Sequence, residues 1–292
     1  MNSLRDRFAN QLSETLIKIR EFRRYTSCMP KCIFSEDEAG SKEHIWPQWL
    51  LARKNFGDFR LKRAGAPEVI LKNGGQLIVK SVCGKCNNGW MSKLEQEAMP
   101  LLIPMFEGKP ITLNQSQQFT LAIWIAKMAF LFDSTKGRNA QNIFYEKNEG
   151  LAFANRRQMP QFTGIWFGSL DEEHRSIDGA DFTMLSNDGS RIGEGSSVTL
   201  ANEHFVAQIC SLRLKETPTN RTVLNVESKP GDWDNMLLPI WPPVHQTINW
   251  PPKVSFTNGG PNGYDYLMDR WRIGQEVLRV NKVAVEELPD DG

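Results

Sequence analysis

The chain begins with apolar residues at helical spacing. Leu4, Phe8, Leu12, Leu16, Ile19 and Phe22 are separated by charges, and the pattern predicts a helix over residues 4–24. Residues 26–45 are turn-rich, with Pro30, Gly40 and an acidic tip at Glu36-Asp37-Glu38, and lead into a strand predicted to end near His44. A short helix is predicted from Trp46 to Asn55, opened by Pro47, because proline is tolerated in a first turn. Val69-Ile70-Leu71 and Leu77-Ile78-Val79 flank Asn73-Gly74-Gly75, which predicts a hairpin.

A helix from Cys86 to Met99 would place Trp90, Met91, Leu94 and Ala98 on one face, with Pro100 expected to stop it. Another is predicted from about Ser116 to Phe132. Its run Phe119 to Ala126 is apolar on all sides, so this helix belongs inside the core. Beyond residue 140 short apolar runs alternate with Gly, Asn, Asp and Pro. The runs at Gly164–Gly168, Phe182–Leu185, Val198–Leu200, His204–Ile209 and Val223–Val226 predict strands of a mostly antiparallel sheet. Leu238 to Lys253, with Trp241-Pro242-Pro243 and Trp250-Pro251-Pro252, is expected as an extended segment laid over the surface.

Composition narrows the class. At 292 residues, 40% hydrophobic and 24% charged, the chain has the make-up of a soluble globular protein. No apolar run approaches the ~20 residues that span a bilayer. The N-terminal residues lack a signal-peptide apolar core, so a cytoplasmic location is expected. Charge is uneven. Residues 1–110 carry 18 Lys/Arg against 12 Asp/Glu, and the remainder carries 17 against 22. The basic part, the one better suited to phosphate, also holds most of the cysteines.

Four of the five cysteines form two close pairs, Cys28 with Cys32 and Cys83 with Cys86. A reducing compartment disfavours disulfides, and the spacing reads as a four-thiolate zinc site. A thiol-redox motif at Cys83-Gly84-Lys85-Cys86 is the competing reading; it leaves the other pair unexplained. Cys210 stands alone and is expected as a buried thiol. His174, His204 and His245 lack partners at ligand spacing and read as structural. Trp46, Trp49 and Trp90 read as packing residues over the site.

Zinc held by four thiolates has no open position, so catalysis requires other groups. Glu43-His44 and Asn87 supply them. Attack on a phosphodiester needs a base for water and a cation on the scissile phosphate. Histidine as a residue type exchanges a proton near neutrality, which suits His44 to the base role. Glu43 and Asn87 offer hard oxygen donors suited to Mg²⁺ or Mn²⁺. Successive strand residues point to opposite faces, so Glu43 and His44 flank one site only if the strand ends or twists there.

Ser41-Lys42-Glu43-His44-Ile45-Trp46-Pro47-Gln48-Trp49-Leu50, followed by Cys86-Asn87-Asn88-Gly89-Trp90-Met91-Ser92-x-Leu94-Glu95, resembles a bacterial and phage subgroup of the HNH endonucleases. The resemblance covers about residues 28–100. It implies a ββα-metal, treble-clef-like module held by a four-cysteine zinc, and nicking or cutting of DNA with one divalent cation. By position, His44 would be the general base, and Glu43 and Asn87 would hold the catalytic Mg²⁺ or Mn²⁺. Cys28, Cys32, Cys83 and Cys86 would hold the structural zinc. Two positions depart from the family. Cys32-Ile33-Phe34-Ser35 ends in serine where relatives often carry a second cysteine. The middle residue that orients the base has no match between Leu77 and Val82, Asn73 being the nearest candidate.

The expected fold is therefore α+β: an N-terminal helix (1–25), a nuclease module (26–105) and a mixed helical and antiparallel β region (106–292). The expected partner is DNA rather than RNA, with no membrane. The C-terminal region is expected to select substrate, or to bind a regulatory partner or a second copy. A place in phage defence or mobile-element biology is what the family suggests. The alternative function is a zinc-stabilised module that binds nucleic acid or protein without catalysis.

Overall fold

The computed structural model describes residues 30–52, 58–63, 67–71, 77–136, 143–185, 189–215, 224–226, 232–260, 263–268, 270–271 and 277–282. The helix expected over residues 4–24, together with Cys28 and Asn73, lies outside the described residues. In chain order the elements are β1 (Ser41–His44), α1 (Gln48–Leu51), β2 (Phe59–Arg63), β3 (Val69–Leu71), β4 (Ile78–Val82), α2 (Gly84–Cys86), a π-turn at Asn87–Met91, α3 (Ser92–Phe106), β5 (Ile111–Asn114) and α4 (Gln115–Ser134). There follow α5 (Lys147–Arg156), β6 (Thr163–Leu185), β7 (Arg191–Leu214), β8 (Leu224–Val226), α6 (Trp233–Met236), β9 (Leu238–Trp241), β10 (Thr247–Trp250), α7 (Tyr264–Met268) and β11 (Val277–Lys282). The architecture is mixed α+β.

Helix α4 is the centre of the core. Asn114 caps it, its side chain accepting from the Gln117 N–H at 3.0 Å, while Gln117 Oε1 accepts from the Asn114 N–H at 2.9 Å. From Leu121 to Asp133 every residue is buried, in keeping with the all-round apolar pattern. One continuous apolar cluster links Cys32, Ile45 and Trp46 to α3, α4, β6, β7 and Trp250. Among the described residues, no helix is long and apolar enough to cross a membrane.

Four expectations are corrected. The predicted hairpin does not form: β3 pairs antiparallel with β2, while β4 pairs antiparallel with β1. Burial decides between these pairings. Val79 and Val82 of β4 are core residues, whereas Val69 and Ile70 of β3 are exposed and have little to gain from the same position. Pro100 does not stop the helix, which continues through Pro100 and Pro104 to Phe106. A proline inside a helix costs about 3 kcal/mol, but each fully buried large apolar side chain returns roughly 1.5–3 kcal/mol. Leu101, Leu102, Met105 and Phe106 are all buried.

Four of the five short strands expected in the C-terminal region merge into two long ones, while the run at Val223–Val226 stays a separate short strand, β8. β6 and β7 form one long antiparallel hairpin, with an irregularity between Ser169 and His174. β2 and β11 add to β6 in parallel, and β9 adds antiparallel. The tryptophan–proline segment is not merely laid on the surface. β10 pairs antiparallel with β5, and Ile240, Ile248 and Trp250 are buried. β9 and β10 end at cis peptide bonds, Trp241-Pro242 and Trp250-Pro251. Trp250 Nε1 donates to the Gly168 carbonyl at 3.0 Å, which seats the indole against β6. Cys210 is buried as expected, and burial pushes its thiol up to about 12.

Asp178 on β6 is buried, and its Oδ2 has no hydrogen-bond partner among the described residues. Burial raises its carboxyl to about 7, against the opposing pull of Arg60. A carboxyl raised in the folded state favours folding at low pH, and that contribution is lost as pH climbs from about 4 to about 7. Asp178→Asn is therefore expected to flatten the fall in stability over this window. Urea unfolding at pH 5 and pH 8 should show a gain at pH 8 relative to pH 5, on the order of a few kcal/mol.

Candidate functional site

Two groups of side chains with chemical potential are built on β1, β4 and the helix that follows β4. The first is a thiol cluster. Cys83 is the N-cap of α2 and Cys86 is its last residue. Cys32 comes from a turn closed by its own N–H donating to the Asp37 carbonyl at 2.9 Å. The turn docks on β4 through the Ile33 N–H, which donates to the Ser81 carbonyl at 2.9 Å. Helix α5 holds it from the other side, where the Lys147 ammonium donates to the carbonyls of Cys32 and Ser35. Gly150 permits that approach, because a Cβ there would fall 2.1 Å from the Ile33 carbonyl oxygen.

The Sγ atoms of Cys32, Cys83 and Cys86 all lie within 4.8 Å of one another and are buried. Burial works against a charged Cys83, but hydrogen bonds from the Ser35 hydroxyl and the Cys86 N–H outweigh it, and the thiol sits below its ordinary value. Burial, and then the charge of Cys32, push Cys86 up to about 12. Three thiols in such proximity cannot all ionise unaided, and a cation between them removes the conflict. The cluster could hold a metal ion such as zinc. Cys28, expected as a fourth ligand, lies outside the described residues.

The second group lines a cleft of about 530 Å³ whose walls include Glu43, His44, Gln48, Asn87, Ser92 and Glu95. The alternation problem on β1 is resolved locally. The β1–β4 register shifts between Ser41 and Glu43, and the strand ends at His44. Glu43 and His44 stay in consecutive register with Val79 and Ile78, and the end of the strand at His44 is what lets both line the same cleft. Asn87 enters from the π-turn. Its Nδ2 donates to Ser41 Oγ at 2.8 Å and to the Lys42 carbonyl at 3.1 Å. Both amide hydrogens are committed to β1, and Oδ1 is the acceptor left for a ligand.

Three residues given no role in the sequence reading bear on this group: Lys127, Glu95 and Gln48. Lys127 of α4 is fully buried, with its ammonium 2.5 Å from Glu95 Oε1 and 3.6 Å from Glu43 Oε1. Burial raises the Glu43 carboxyl above its ordinary value, while Lys127 pulls it down and Glu95 adds to the rise. The signal was present in the sequence: a lysine inside an all-round apolar helix must find a carboxylate. Gln48, four residues after His44, places its Nε2 at 3.3 Å from His44 Nδ1. If the Gln48 amide turns, Oε1 accepts from Nδ1–H, and this tautomer leaves His44 Nε2 unprotonated. The three tryptophans pack as expected: Trp46 on Phe59 and Trp124, Trp49 on Phe106, Trp90 on Phe34 and Phe153. Among the described residues, no second group of three His, Cys, Asp or Glu ligand atoms lies as close as the thiols do.

Removing Lys127 should leave two carboxylates facing each other without a counter-charge. Lys127→Met is expected to lose roughly 3–5 kcal/mol in urea unfolding at neutral pH. Adding Glu43→Gln to that variant should recover part of the loss, because the most buried of the unpaired charges is then gone. Compared with protein-family models, with curated proteins and with solved structures, the chain has no match, so the chemistry rests on the residues themselves.

Proposed function

We propose that the protein is a metal-dependent endonuclease of the HNH type that hydrolyses DNA phosphodiester bonds. The observation that carries the reading is the convergence of Glu43, His44 and Asn87, drawn from a strand end and a helix start, on one cleft. In support stand the two antiparallel strands β1 and β4, the helix after β4, and the thiol cluster beside them.

In this mechanism His44 takes the proton from the attacking water through Nε2, and Gln48 holds the imidazole through Nδ1. Asn87 braces β1 through its amide hydrogens and turns Oδ1 toward the ligand. The donor chemistry fits a hard divalent cation, since the Glu43 carboxylate and Asn87 Oδ1 are both oxygens. When bound, Mg²⁺ or Mn²⁺ would offset charge on the scissile phosphate and the leaving oxygen. The buried Lys127 ammonium holds Glu43 against the core side of the cleft and limits the carboxylate's motion. Lys42, exposed at the rim, offers a cation to the phosphate backbone.

One observation favours a second reading. The Glu43 carboxylate already faces the Lys127 ammonium, as expected of a module that binds nucleic acid without cutting it. The two separate in one experiment. Purified protein with Mg²⁺ or Mn²⁺ is expected to nick supercoiled plasmid, and His44→Ala to slow nicking by roughly 10²–10⁴-fold. Gln48→Leu is expected to slow it by about 10-fold or more, as loss of an orienting partner does. Salt-sensitive DNA binding that survives His44→Ala, with no nicking by either protein under any metal, establishes the second reading instead.

A further inference from the structure

We infer that the fourth donor of the thiol cluster is the hydroxyl oxygen of Ser35, not the thiolate of Cys28, which makes the centre a three-thiolate, one-oxygen metal site. The inference rests on reading Cys32, Cys83 and Cys86 as metal ligands, and goes beyond it by naming the donor that completes them.

The two loops that supply the thiols repeat one pattern. Cys32-x-x-Ser35 has the spacing of Cys83-x-x-Cys86. In each loop a backbone N–H donates to the first sulfur at 3.4 Å, from different offsets: Phe34, two residues on, to Cys32 Sγ, and Cys86, three residues on, to Cys83 Sγ. By spacing, position 35 answers to position 86.

The distances agree. Ser35 Oγ lies 3.4 Å from Cys83 Sγ. Two donors on one tetrahedral zinc, with bonds near 2.3 Å to sulfur and 2.0 Å to oxygen, stand about 3.5 Å apart. Asp37 prepares the oxygen. Its Oδ2 stands 3.4 Å from Ser35 Oγ, and its N–H donates to the same oxygen at 3.3 Å. A carboxylate behind a ligand raises that ligand's basicity and fixes its direction. The loop cannot easily withdraw, because Lys147 grips the carbonyls of both Cys32 and Ser35.

The consequence is chemical. With three thiolates a divalent zinc centre carries one net negative charge, and with four it would carry two. An oxygen donor is also held less tightly than a thiolate by a borderline-soft ion. The centre should therefore release zinc more readily than a four-thiolate one.

The test uses the full-length protein loaded with Co²⁺ in place of zinc, read by sulfur-to-cobalt charge-transfer absorbance per bound ion, with zinc content and chelator release measured in parallel. One ion per chain is expected. Cys28→Ser should leave the absorbance per ion unchanged. Ser35→Cys should raise it by about one third, from three cobalt–sulfur bonds to four, and slow zinc release to a chelator. A fall of about one quarter in Cys28→Ser, with no rise in Ser35→Cys, would assign the fourth thiolate to Cys28 and overturn the inference while the metal reading stands. A wild-type protein that retains neither zinc nor cobalt overturns both.

Discussion

The fully buried ammonium of Lys127 is the constraint on which the arrangement around the cleft depends. It sits within a helix buried at every residue from Leu121 to Asp133 and finds two carboxylates, one on β1 and one on α3. A charge so placed is costly unless paired, and the pairing is sensitive to geometry. The core helix thereby fixes where β1 and α3 stand relative to each other. The cleft between β1 and α3 is lined by the same two carboxylates, Glu43 and Glu95. Core and candidate site are not separate structures here; one ion network belongs to both.

The thiol cluster plays a complementary part. It joins the Cys32 turn to the start of the helix after β4, a region with short elements and little core of its own. Helix α5 contributes from outside through Lys147 and Gly150, so the turn is held between a sulfur cluster and a helix. Asn87 immediately follows Cys86. The residues that close the thiol cluster therefore set the position of the amide that braces β1.

Much of this was legible in the sequence where the signal is local. The buried helix α4 follows from a run that is apolar on every side, and its Asn114 cap lies one residue before it. The ending of β1 at His44 follows from Pro47 and the turn residues around it. What misled was local evidence without a partner. Asn73-Gly74-Gly75 is a strong hairpin signal, yet the strands on either side of it pair elsewhere because their burial differs. Pro100 is a strong stop signal, yet the apolar face continues beyond it and outweighs the lost hydrogen bond. The short strands beyond residue 160 look separate because glycines and polar residues interrupt them, whereas β6 and β7 pair with each other along almost their whole length.

The sequence by itself determined the chemistry available: which thiols, carboxylates, imidazole and amide lie close enough along the chain to share a site. It determined this because ligand spacing and a strand's end are written within a few consecutive residues. Tertiary structure alone decided which of them meet. Lys127 reaches Glu43 across more than eighty residues, Lys147 reaches the Cys32 turn across more than a hundred, and β2 joins the sheet of β6. Such meetings depend on how helices and sheets pack, and packing is a property of the whole core rather than of any one stretch.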